Sequence, residues 1–131
     1  MGDSSLDMFI GRKVMQILGI QPTLAFDDGG FLTIECSWRL RDRDSILLGC
    51  TEDERELAQP TISQLSEYLL NREIISIQLI PPVSDLVINF NSDLILELFS
   101  NSSAFENWTL SNGKGFERIS GRAGDYIIIN G

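Results

Sequence analysis

At 131 residues and 14.7 kDa, the chain suits one domain over 1–131 that buries about two thirds of its unfolded surface without disulfide or metal staples. A composition of 43% hydrophobic and 22% charged residues excludes a disordered chain. Acids outnumber bases 19 to 10, for a net charge of −9, and histidine is absent. That balance argues against nucleic acid or an anionic membrane as direct partner. It also removes the commonest general base and zinc ligand.

The first residues, Met1 to Asp7, carry two acids and no basic region before an apolar run, which is not a secretory signal. No stretch approaches the roughly 18 apolar residues of a membrane span. A cytoplasmic protein is expected.

Internal similarity comes next in chain order. Residues 7–17, from Asp7 to Ile17, match residues 67–77, from Glu67 to Ile77. Arg12 aligns with Arg72, Val14 with Ile74, and Ile17 with Ile77. Gly11 aligns with Asn71, and these residue types most readily take the left-handed conformation that stops a helix. Each copy reads as a short helix, a stop and a strand. In the first copy Leu24 and Phe26 precede a turn at Asp27-Asp28-Gly29-Gly30, and Leu32, Ile34, Cys36, Trp38 and Leu40 then alternate without a miss. In the second, Leu86, Ile88 and Phe90 precede Asn91-Ser92-Asp93, and Leu94, Leu96 and Leu98 alternate, with Trp108 and Leu110 closing as Trp38 and Leu40 do. Period-2 alternation around a Gly, Asp or Asn turn predicts hairpins with one buried and one wet face. Glu35, Arg39 and Arg41 fall on the wet face.

Between the copies, Ile62, Leu65 and Leu69 form a helical stripe, with Thr61 as cap. The last strand is Asp125 to Asn130. The predicted fold is α+β, mostly antiparallel β. It comprises two similar β-rich halves, about 7–50 and 67–131, joined by a helical segment over 51–66, with a central helix and a short N-terminal one. The halves are expected as two half-sheets packed on each other.

Candidate chemistry is sparse. Asp42-Arg43-Asp44 has the Asp-x-Asp spacing of metal-dependent sugar transferases, but the chain has no room for the nucleotide-binding domain they need. Asp27-Asp28-Gly29-Gly30 lacks the remaining oxygen ligands of a calcium loop. Gly113-Lys114-Gly115 and Gly121-Arg122-Ala123-Gly124 match no phosphate-binding fingerprint. Cys36 and Cys50 are not spaced as a metal clamp or redox pair, and Cys36 is expected as a buried thiol. Trp38 and Trp108 read as core anchors. No enzyme, cofactor or metal is expected.

The acids are unevenly placed. Residues 42–106 hold twelve acids and three bases, and so carry the whole net charge. The densest part is Glu52-Asp53-Glu54-Arg55-Glu56, with Asp42 and Asp44 shortly before. Such a block suits the solvated start of a helix, where acids complement the dipole. It equally suits a surface that steers and holds a basic protein. Asp42, Asp44, Glu52, Asp53, Glu54 and Glu56 are the candidate partner-binding residues.

One further pattern closes the chain. Leu86, Phe90 and Leu94 recur every four residues, and Phe105-Glu106-Asn107-Trp108-Thr109-Leu110 follows. A glycine-flanked final strand begins at Gly124-Asp125-Tyr126-Ile127. This arrangement resembles a group of small bacterial proteins, several of which look like immunity proteins of contact-dependent growth inhibition or related toxin systems, while others have no known role. The resemblance covers most of residues 70–131 and, through the repeat, 9–40. It implies an inhibitor of a toxin domain, often a nuclease with a basic substrate surface, and supplies no catalytic residues.

Overall fold

Alternating apolar positions form strands wherever a turn residue frees the chain to reverse. The computed structural model describes residues 4–19, 21–50, 62–82, 85–100, 107–120 and 126–130. A 3-10 helix, Ser4–Phe9, precedes β1 (Val14–Leu18), β2 (Thr23–Phe26), β3 (Phe31–Ile34), β4 (Ser37–Arg41) and β5 (Ile46–Cys50). The helix α1 (Ile62–Leu69) is followed by β6 (Ile74–Ile80), β7 (Asp85–Phe90) and β8 (Leu94–Phe99). Then come β9 (Trp108–Ser111), β10 (Phe116–Ser120) and β11 (Tyr126–Asn130). All strand pairs are antiparallel, as short connections require. The fold is mostly antiparallel β, with one helix and one 3-10 turn among the described residues. Residues 51–61 of the expected helical linker, Thr61 included, lie outside them.

The strands make a six-stranded sheet, β1-β2-β3-β9-β10-β11, and a five-stranded sheet, β5-β4-β8-β7-β6. The expected half-sheets are not formed, because each sheet takes strands from both halves of the chain: β4 to β8 make the five-stranded sheet, and the strands before and after them make the six-stranded one. The cause lies at two corners. Between Ile34 and Ser37 the chain leaves the first sheet for the second, and between Phe99 and Trp108 it returns. Cys36 stays buried at the first corner, so the alternation from Leu32 to Leu40 passes through it unbroken. Periodicity reports which face a residue occupies, not which sheet.

Inward residues of both sheets, among them Leu24, Leu32 and Trp108 from the first and Leu40, Leu86 and Leu96 from the second, join one apolar cluster. The sheets therefore share a core. Trp108 is fully buried and Trp38 is 3% exposed. The 3-10 helix buries Leu6 and Phe9 and lies against β6, while α1 buries Leu65 and Leu69 and lies against β1.

The two sheets are also tied by hydrogen bonds where β1 and β6 begin. Gly11 N–H donates to the Ile74 carbonyl (2.8 Å) and Asn71 N–H to the Val14 carbonyl (2.8 Å). Ile74 N–H donates to the Arg12 carbonyl (2.9 Å) and Val14 N–H to the Arg72 carbonyl (3.0 Å). Gly11 and Asn71 both have positive φ, 90° and 67°, the left-handed geometry that stops each helix and turns the chain into its strand.

Candidate binding surface on the five-stranded sheet

The sequence-predicted partner residues begin in the turn between β4 and β5. Asp42 builds this turn. Its backbone N–H donates to the Ser45 carbonyl (3.0 Å). Its Oδ1 accepts from the backbone N–H groups of Asp44 and Ser45, both at 2.8 Å. These donors hold the Asp42 carboxyl below the usual carboxylate range, since a hydrogen-bonded carboxylate is the favoured form. Asp44 is exposed, and its carboxylate has no partner among the described residues. Asp42 and Asp44 thus share one turn in different roles, the first shaping it and the second facing solvent. Glu52, Asp53, Glu54 and Glu56 lie outside the described residues.

Sequence reasoning placed Arg39 and Arg41 on the wet face but missed what they meet. On β4 the inward Trp38 and Leu40 leave Arg39 and Arg41 outward, and on β8 the inward Leu96 and Leu98 leave Glu97 outward. Register sets Arg39 opposite Glu97. A single oxygen, Glu97 Oε1, accepts from Arg39 Nε (2.7 Å) and Arg41 Nε (2.6 Å). The Glu97 side chain is 13% exposed, against 39% and 32% for the two arginines. Partial burial alone would raise the Glu97 carboxyl, but the hydrogen bonds and charges of both arginines outweigh it and hold it below its ordinary value. The same bond raises the Arg39 guanidinium. Arg39 also lies over the Phe99 ring, 5.2 Å from its centroid, a cation–π contact. The sequence signal was the alternation itself, but only strand register shows that positions 39 and 97 face each other.

Arg43 extends the row and pairs with Asp93 (3.1 Å) across the surface. Beside these arginines lies a shallow depression of about 480 Å³ that is largely open to solvent, lined by Arg39, Arg41, Arg43, Asp44, Ser45 and Ile46. Gly49 on the edge strand β5 lies opposite Arg39. It brings no side chain to that flank, and an added Cβ there would meet only Ile46 Cγ2, at 4.0 Å.

Elsewhere, Cys36 is buried and its thiol is pushed up to about 12, chiefly by that burial. Among the described residues, Trp38 Nε1 is buried without a hydrogen-bond partner. No helix among the described residues is long and apolar enough to cross a membrane. Comparison with protein-family models, with curated proteins and with solved structures found no match.

Proposed function

We propose that this chain is a cytoplasmic, non-catalytic immunity protein that binds and neutralises a cognate bacterial toxin domain, in the manner of contact-dependent growth inhibition. The toxin domain is basic and acts as a nuclease. The observation that carries this reading is charge placement, with the whole net charge of −9 between Asp42 and Glu106. A field of one sign draws in a basic surface and raises its association rate by about 10–10³-fold at low salt. Asp44, exposed on the turn just before the dense acidic block, is part of that field. The inhibitor need only cover the toxin's active site or substrate channel.

We read the chain as two similar halves. Supporting this are the paired hydrogen bonds at Gly11–Val14 and Asn71–Ile74. A second pair adds to it: Lys13 N–H donates to Asp27 Oδ1 (3.3 Å) and Glu73 N–H to Asn91 Oδ1 (3.0 Å). The second functional reading is an adaptor, homodimeric through an exposed strand edge. It is favoured by the exposed apolar side chains Met15 on the edge strand β1 and Ile75 on the edge strand β6.

Co-purification with the product of the adjacent upstream gene tests the first reading, followed by association rates over a salt series. Replacing Glu52, Asp53, Glu54 and Glu56 by their amides should slow association and flatten its salt dependence. Rates equal to wild type at every salt concentration would contradict the electrostatic account. A chain that self-associates and ignores the upstream product would favour the adaptor.

A further inference from the structure

We propose that the arginine-lined pocket beside β4 binds the carboxylate of a small organic acid with an apolar body. Within the triad of Arg39, Arg41 and Glu97 cations outnumber anions, since Glu97 serves both partly exposed guanidiniums through a single oxygen; Asp44 also lines the pocket and offsets that charge. Donors are in excess. Among the described residues, both terminal nitrogens of Arg39 lack a hydrogen-bond partner, while Arg41 Nη1 donates to the Asp42 carbonyl (3.1 Å). These donors are held in place beforehand, because the Nε bonds and the Phe99 ring fix the Arg39 plane. A fixed fork loses little freedom when it captures a carboxylate.

The fold itself makes no demand for this cluster. In the six-stranded sheet the pairing of β3 with β9 occupies the same place in the strand order as the pairing of β8 with β4. There Thr33 faces Thr109, with Ser111 two residues on. Hydroxyls suffice at that crossing, so the arginines do something the sheet does not require. The ligand class follows from the surroundings. The planar donor fork of Arg39 matches a carboxylate, and Asp44 on the rim disfavours a dianion such as phosphate. Ile46, 60% exposed, supplies an apolar wall, and about 480 Å³ admits a body larger than the carboxylate alone.

Benzoate is the probe, titrated into the isotope-labelled full chain while the arginine Nε–H signals are followed by NMR at matched ionic strength. Saturable shifts at Arg39 and Arg41 are expected, with a Kd of order millimolar. Benzamide should shift neither, and inorganic phosphate should bind more weakly than benzoate. Arg39→Gln should weaken benzoate about tenfold or more. If that variant does not fold, Arg39→Lys, which keeps the charge but loses the planar fork, must also weaken it. Non-saturating shifts, equal binding of benzamide, or benzoate affinity unchanged in the folded Arg39 variant would overturn the proposal. Phosphate binding as tight as benzoate would overturn the assignment to a monocarboxylate.

Discussion

The two places where strands from the two halves of the chain meet have the same inner face and different outer faces. Inward, Leu32 opposes Leu110 in one sheet and Leu40 opposes Leu96 in the other, with Trp108 opposite Ile34 and Trp38 opposite Leu98. Outward, Thr33 opposes Thr109 in the first, while Arg39 opposes Glu97 in the second. The shared core fixes the inner residues through packing, since a close-packed interior tolerates little change of volume. The outer face is under no such constraint, and of these two pairings only that of β4 with β8 places charge there. Residue choices that packing does not explain are where binding should be sought.

The inner equivalence is broken most severely by truncating its largest members. Trp108→Ala and Trp38→Ala should each cost about 3–5 kcal/mol, measured by urea denaturation. Unchanged stability in both variants would show that neither anchors the core. Trp38→Phe should cost much less than Trp38→Ala, because it keeps an aromatic ring in the core and Trp38 Nε1 has no partner among the described residues to lose.

The outer difference gives smaller effects. Glu97→Gln leaves two neighbouring guanidiniums without their shared carboxylate and should cost about 1–2 kcal/mol. Thr33→Val, at the other crossing, should cost less than about 1 kcal/mol. Equal costs would remove the distinction between the two outer faces. Acid sharpens the same comparison. The Glu97 carboxyl is lowered in the folded chain. Its stabilising contribution is therefore complete above its ordinary value near 4.5 and is lost as pH falls through the lower folded value. Stability measured against pH should lose a component below about that point in wild type, and Glu97→Gln should lack it.

Smaller still is Arg43→Ala. Its ion pair with Asp93 is largely exposed on both sides, so the expected cost is under about 0.5 kcal/mol. At the bottom of the scale, Cys36 should not react with a thiol reagent at neutral pH in the native chain, since burial pushes its thiol up to about 12 and only the thiolate attacks. A Cys50→Ser background isolates its signal. Labelling as fast as in the denatured chain would contradict its burial.

How far these features were legible varies with their physical origin. The inner faces were readable residue by residue, because burial leaves a period-2 trace in sequence. The helix stops at Gly11 and Asn71 were readable because few other residues tolerate positive φ. The passage of the chain between sheets was not readable, because Cys36 faces inward at the corner as it would in one continuous strand. Nor was the meeting of Arg39 and Arg41 with Glu97, more than fifty residues away, because cross-strand register is a tertiary property. Asp42 was recognised as a surface acid, but its commitment to the turn depends on backbone donors that sequence does not display.

The most direct test of the central claim is growth of cells that express the toxin domain encoded immediately upstream, with and without this chain. The account predicts arrest by the toxin domain alone and restored growth when this chain is co-expressed. Equal arrest in both cultures, with the chain folded and present, would contradict it.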